Sequence, residues 1–400
     1  MRVCLVSGEY PPMQGGVGDF THELGCALMA LEHHVAVVTS RRAQPREASE
    51  PNPLEPEVYP IIHKWNWASW KGILQVIQTF QSDVVNIQYQ TAAYGMHPAI
   101  NFLPLRLRLN KGHPRVVVTF HDLREPYLFP KAGAARKWVN LLLASWSDAA
   151  IVTNIEDYEQ LKKICKAGGA GRSPYLIPIG SNIHPRLPPE YDRTAWRHRL
   201  GIDDNETLLC YFGFLNESKG GEVLFRALAE LLRRGHKVKL LMIGGQVGDS
   251  DPTNVAYFEH VRALCRELGL QDHVLWTGYT PSEQVSANFL AADICVLPYR
   301  DGASFRRGSF MAALAHGLPI VSTQPRVPIT TLIDGENILL VPPDNVGATA
   351  NAIEKLISAP TLRVQLSHGA QELAKEFTWD RIAKETERVY CTLLGAQANV

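Results

Sequence analysis

The sequence predicts an α/β protein built of two doubly wound units, each a parallel sheet covered by helices on both faces. Three observations carry this. The chain has 400 residues, more than one ordinary core holds. Short β-branched apolar runs alternate with helical patterns, and these runs are apolar on both faces, as strands buried on two sides must be. A proline-rich polar stretch, HPRLPPEYDRT (184–194), interrupts the alternation, which then restarts.

In the first half the expected strands are RVCLVS (2–7), HVAVVTS (34–40), DVVNIQY (83–89), RVVVTF (115–120), AAIVTN (149–154) and YLIPI (175–179). Between the first two, Phe20, Leu24, Ala27, Leu28 and Leu31 share one helical face. In the second half they are TLLCYFGF (207–214), KVKLLMIGG (237–245), HVLWTG (273–278), DICVLPY (293–299), PIVST (319–323) and ILLVPP (338–343). The terminal WDRIAKETERVYCTLLGAQ is an amphipathic helix that could pack on either unit. The expected domains are therefore 1–183 and 184–377, with a terminal segment 378–400.

Composition excludes several classes. Forty basic residues balance forty acidic ones, so net charge gives no sign of a nucleic-acid partner. The start, MRVCLVSGEY, reads as a strand and not as a signal peptide. No stretch approaches the roughly 18 uninterrupted apolar residues of a membrane span. The seven cysteines are scattered, odd in number and without a CxxC, which fits buried thiols in a cytoplasmic protein and not disulfides or zinc.

Two open α/β sheets facing across a cleft place a ligand at the carboxyl ends of their strands, so the loops there carry the chemistry. In SGEYPPMQGGVGDF, Gly15, Gly16 and Gly18 precede a helix, which suits close approach by an anion or a plain glycine turn. His121 follows the strand of VVVTFHD, as a hydrogen-bond donor to a sugar hydroxyl or as a structural histidine. Lys219 opens the helix of NESKGGEVL, a phosphate ligand or a solvated charge. MIGGQVGDS (242–250) is a further glycine turn. Finally, DGASFRRGSFMAALAHGLP sets Arg306 and Arg307 before Gly308 and Ser309 at a helix start, with no acid after Asp301 to pair them. Loops Gly15–Gly18, Lys219 and Arg306–Ser309 together favour a diphosphate.

The ordered set GEYPPMQGGVGDF…LEHHVAVVTS, VTFHD, SDAAIVTN, LIPIGSNI, GFLNESKGG, LWTGY, ADICVLPY, AHGLPIVST and DGENILLVPPDN resembles the family-four retaining glycosyltransferases of the GT-B fold. The resemblance runs from about residue 7 to 345. It implies a nucleoside-diphosphate sugar as co-substrate, no metal or other cofactor, and a glycan, lipid-linked or small-molecule acceptor. It implies that Gly15, Gly16 and Gly18 border donor diphosphate and acceptor, that His121 holds the donor sugar, that Lys219 binds the diphosphate, and that the amides of Gly308 and Ser309 hold the phosphates. It further implies that segment 378–400 returns to the N-terminal, acceptor-side domain, leaving 184–377 for the nucleotide sugar. The leaving phosphate takes the acceptor proton in such enzymes, and protein cations stabilise the developing charge. Asp19 is a candidate for orienting the acceptor, or a helix cap.

Three positions depart from the family pattern. Its usual arginine after the first C-terminal strand is Phe214 here, and its two glutamates eight residues apart are Ser304 and Ala312. Ser304 still offers a hydroxyl to a sugar, and Arg306 or Arg307 supplies the cation that Phe214 does not. The rival readings are a GT-B phosphorylase or epimerase, and a catalytically degenerate binder of sugar nucleotides. The segments 101–115 and 130–146 mix basic, leucine and tryptophan residues. They read as ordinary amphipathic helices or as a peripheral contact with anionic lipid at the inner face of the membrane.

Overall fold

The computed structural model describes residues 1–44, 54–110, 112–123, 136–167, 173–244 and 252–395. Residues 245–250 of the second glycine turn, Lys111 and Lys131 lie outside the described residues, as do the side chains of Arg136 and Lys137. Two compact units result, Met1–Gly180 with Thr378–Val400, and Ser181–Phe377.

The first unit carries strands β1 (Arg2–Ser7), β2 (His34–Ser40), β3 (Glu57–Ile62), β4 (Val84–Tyr89), β5 (Arg115–Phe120), β6 (Ala149–Val152) and β7 (Tyr175–Leu176). Its helices are α1 (Gly16–Ala30), α2 (Ser69–Thr79), α3 (Leu103–Arg108), α4 (Arg136–Trp146) and α5 (Ile155–Ala167). The second unit begins with α6 (Arg193–Arg199) and has strands β8 (Thr207–Phe212), β9 (Val238–Ile243), β10 (Val274–Trp276), β11 (Ile294–Leu297), β12 (Ile320–Thr323) and β13 (Leu339–Val341). Between and after them run α7 (Gly221–Arg233), α8 (Pro252–Glu267), α9 (Ser282–Ala291), α10 (Gly308–Ala315), α11 (Val346–Ser358) and α12 (Pro360–Ala374). The last helix, α13 (Trp379–Leu394), belongs to the first unit.

Both sheets are parallel, with strand orders β3-β2-β1-β4-β5-β6-β7 and β10-β9-β8-β11-β12-β13. Each order reverses direction once, which is the doubly wound, Rossmann-like arrangement. Strand alternation sends neighbouring residues to opposite faces. Val3, Leu5, Val35 and Val37 meet Phe20, Leu24 and Leu28 of α1, while Cys4, Val6, Val85 and Ile87 meet Ile73, Val76 and Ile77 of α2. All seven cysteines are free thiols, and six of them are buried.

Two strands differ from the expectation. The segment EVYPII forms β3 at the sheet edge, where Pro60 costs no ladder bond and the outer face stays partly exposed; it therefore lacks the doubly apolar pattern. At the opposite edge β7 is two residues long and exposed, because Pro178 cannot continue the ladder. Among the described residues no helix is long and apolar enough to cross a membrane.

Helix α13 is tied down by polar groups as well as by its apolar face. Thr378 caps it, accepting from the Arg381 N–H at 3.4 Å. The buried Glu387 carboxylate meets His33 Nε2 at 3.1 Å. Tyr390, fully buried, accepts a hydrogen bond from Asn86 Nδ2 at 2.7 Å, and Asn86 Oδ1 accepts from Thr119 at 3.0 Å. Tyr390→Phe would leave a buried amide donor unsatisfied. We expect it to lower unfolding stability by about 1–3 kcal/mol, read by urea denaturation, with little change in secondary structure by circular dichroism.

Candidate functional site

The sequence-predicted residues fall into two groups, one in each unit, and the two groups differ in whether their positive ends are already occupied. In the first unit, the loop after β1 leads into α1, whose cap residue Gly15 is extended. The free N–H groups expected there are not free. The Glu9 carboxylate accepts from Val17 N at 3.0 Å and Gly18 N at 3.3 Å. Burial pushes Glu9 above the usual carboxyl range, and these two N–H groups partly offset that. A Cβ on Gly15 would run into this carboxylate, which explains the glycine without any ligand. Gly16 faces open space, whereas Gly18 is packed against the backbone of Tyr10. The expectation of an open anion cradle at Gly15–Gly18 is therefore corrected: a side-chain anion already sits on α1. Nothing in the motif spacing signals this, because Glu9 reaches back across a seven-residue loop.

Asp19 stands half-buried in the first turn of α1, where the helix dipole favours a carboxylate. One residue on, Phe20 packs edge-on against His121 at 4.7 Å between ring centres. His121 follows β5, and its Nε2–H donates to Gln88 Oε1 at 3.0 Å. Burial pushes its imidazole down to about 3, so it is neutral at physiological pH. The donor expected for a sugar hydroxyl is thus already used, and Nδ1 remains as an acceptor. The amide Nε2 of Gln88 is buried without a hydrogen-bond partner among the described residues, which adds an open donor that the motifs did not reveal.

The second unit is organised differently. After β8 the chain turns at Gly213, whose φ is +107°, and forms a short helical turn ending in Lys219. Gly220, at φ +69°, then opens α7; a side chain there would collide with the Pro298 carbonyl oxygen. This strained pair of glycines fixes Lys219. A Cβ on Gly213 would lie 3.2 Å from Lys219 Nζ and 3.6 Å from Ser309 Cβ, so those two predicted residues meet over the same glycine. The Lys219 ammonium has no hydrogen bond or ion pair among the described residues. Burial and, second, the nearby Arg307 charge push it down to about 8.

Arg307 stands at the cap position of α10 over the ring of buried Tyr299, 5.0 Å from its centre, and Nη1 reaches Ser218 at 3.4 Å. Its Nε is buried and has no hydrogen-bond partner among the described residues. Tyr299 and Ser309 share a hydroxyl hydrogen bond of 2.6 Å. No side chain caps α10, so the N–H groups of Gly308 and Ser309 have no acceptor among the described residues. A cation pair, an open helix N-terminus and a hydroxyl at one place can hold a phosphate.

The two arginines are nevertheless not unpaired. Asp301 bridges Arg307 through both carboxylate oxygens and meets Arg306 at 3.1 Å. In the sequence this acid sits on the far side of a loop; Gly302, at φ +86°, folds it back onto the arginines. The expectation of an acid-free turn is corrected accordingly. Ser304 is buried, its Oγ near the N–H of Arg306 at 3.5 Å, and Ala312 is fully buried in α10. Among the described residues no group of histidine, cysteine or carboxylate side chains could hold a metal ion.

Comparison with known proteins gives a consistent picture. A family model described as glycosyl transferases group 1 matches residues 192–373, and one described as glycosyltransferase family 4 matches residues 14–167. A D-inositol 3-phosphate glycosyltransferase of Corynebacterium diphtheriae is 30% identical over 260 residues, covering 64% of this chain and 58% of that protein. A GDP-mannose-dependent phosphatidylinositol monomannoside mannosyltransferase of Mycobacterium tuberculosis is 22% identical over 389 residues, 96% of each chain. The structure of HepE from Anabaena in complex with UDP and glucose superposes with a TM-score of 0.71, at 18% identity, over 98% of this chain and 100% of that one.

The unpaired ammonium makes a test that needs no ligand. A lysine whose folded pKa lies below its ordinary 10.5 destabilises the fold while it is charged, that is below about 8. Lys219→Met keeps the length and removes the charge. We expect it to raise the melting temperature at neutral pH by roughly a few degrees, an increase that shrinks as pH rises above the lysine's titration. An unchanged or lower melting temperature would count against the uncompensated charge.

Proposed function

The chain belongs to the group 1, family 4 glycosyltransferases, a transferase of GT-B architecture with two Rossmann-like units, and from that premise we propose that it moves a sugar with retention from a nucleoside diphosphate. The diphosphate is held by the second unit. One observation carries the reading: among the described residues Lys219 has no counter-ion, beside an Arg307 whose Nε is without a partner there and the uncapped N-terminus of α10.

In this mechanism the acceptor oxygen bonds to the anomeric carbon on the face from which the phosphate leaves. The bond from that carbon to the phosphate oxygen breaks, and the acceptor proton passes to the phosphate. The charge that grows on the leaving oxygen is met by Lys219, Arg307 and the amides of Gly308 and Ser309, preorganised donors in a partly dry site. No protein base is called for. The neutral His121 and the occupied Glu9 are consistent with that, since neither is poised to abstract a proton.

Of the two arginines, Arg307 is the one that replaces the family cation absent at Phe214. It lies beside Lys219, whereas Arg306 meets the outer side of Asp301. The nucleotide HepE binds, UDP, and the GDP-mannose named for the mycobacterial relative both carry the diphosphate that this site fits. We propose protein cations, not a metal ion, at that diphosphate. The acceptor hydroxyl belongs to a small molecule, glycan or lipid head group, classes that the names of the inositol-directed relatives support.

Isothermal titration with UDP and GDP tests the site. Lys219→Ala and Arg307→Ala should each weaken binding by roughly tenfold or more, the loss of one charged hydrogen bond, and Arg306→Ala by less. Wild-type affinity in both of the first two variants would sink the reading. The same titration has a pH signature. A bound diphosphate stabilises the lysine proton, so affinity is full below about 8 and falls as pH rises through that value. Lys219→Arg, charged throughout, should not show the fall.

A further inference from the structure

The carboxyl ends of β2 and β3 carry a second set of basic residues that the donor site does not use. Arg41 begins the short helical turn directly after β2, and His63 and Lys64 directly follow β3. These strands are neighbours, so Arg41 Nη1 donates to His63 Nε2 at 2.6 Å. That bond needs a neutral imidazole and leaves most of the guanidinium donors open. Across the loop, Lys64 lies near enough to His97, which follows the turn after β4, that its charge adds to burial in lowering the His97 pKa. Arg41, Arg42, His63 and Lys64 are all exposed, and none makes an ion pair with a carboxylate among the described residues.

A row of exposed cations is commonly a solvated surface, but two features set this one apart. Trp67 stands in the same loop, 48% exposed, yet held edge-on by Trp70 at 5.0 Å, His97 at 5.6 Å and Phe102 at 5.6 Å. It is a fixed apolar platform beside the charges. In the same loop Trp65 packs on buried Tyr94, and its indole N–H is buried without an acceptor among the described residues. Both features lie at the strand ends where α/β sheets bind ligands.

We propose that Arg41, His63 and Lys64 form an anion subsite that takes a phosphate group of the acceptor, with Trp67 as the apolar floor beside it. The inference rests on the transferase reading and extends it: the acceptor is a phosphate-bearing molecule, either a free phosphate ester or the head group of an anionic lipid. A guanidinium fork and an ammonium meet phosphate oxygens with charge-assisted hydrogen bonds, and the ring covers the carbon skeleton next to them.

The test uses the full chain with saturating UDP, so that the donor site is filled. One arm titrates glycerol 3-phosphate, with glycerol as the neutral control. The other measures co-sedimentation with phosphatidylcholine vesicles, with and without phosphatidylinositol. Wild type should bind in at least one arm, and the arm that reads identifies the source of the phosphate. Arg41→Gln with Lys64→Gln should lose on the order of tenfold in affinity per cation removed, with the melting temperature unchanged because both side chains are exposed. Equal affinity in variant and wild type, or no binding by wild type in either arm, overturns the subsite. Failure of UDP to bind would instead strike the donor reading, since the dependence on Arg41 and Lys64 is scored separately.

Discussion

An ammonium group partly withdrawn from water needs an anion, and the described residues of the second unit provide none for Lys219. The cost is visible in the lysine's lowered pKa, which burial and, second, the neighbouring Arg307 charge bring about. A fold selected for stability alone would place a carboxylate there. Glycines hold the arrangement in place: Gly213 and Gly220 take positive φ beside Lys219 and Ser309, and at Gly220 a side chain would also collide with the Pro298 carbonyl oxygen.

The first unit shows the opposite solution to the same problem. Its helix α1 also begins after a glycine-rich turn at the end of a central strand, but Glu9 supplies the anion internally. Two loops that look alike in composition thus differ in whether the start of the following helix is already occupied by a side-chain carboxylate among the described residues. The difference lies in one side chain, and in whether the turn lets it fold back.

Asp301 sits between these extremes. It neutralises part of the charge on Arg306 and Arg307 without reaching Lys219 or the amides of α10. The family's two glutamates are absent, at Ser304 and Ala312, and both positions are buried. The carboxylate that this loop does carry, Asp301, meets Arg307 Nη2 with both of its oxygens and Arg306 with one. The loop keeps an acid, but one directed at the protein's own cations.

The central strands and the parallel sheets were legible in the sequence, because burial on both faces leaves long β-branched runs and glycine-rich turns mark their ends, whereas the class of enzyme was legible only through the family its ordered motifs resemble. The central strands β1 and β2 could be read to the residue. The edge strands β3 and β7 could not, since a half-exposed edge carrying a proline has no such pattern. The sequence by itself also determined which loops hold cations and glycines, since those depend on residue type and on position after a strand. Only the tertiary structure decided which of those cations are compensated. Charge pairing depends on distance across turns, so Glu9 on α1, Asp301 on Arg307, Gln88 on His121 and the open ammonium of Lys219 all follow from how left-handed glycines and neighbouring strands bring separated residues to within a hydrogen bond, or fail to.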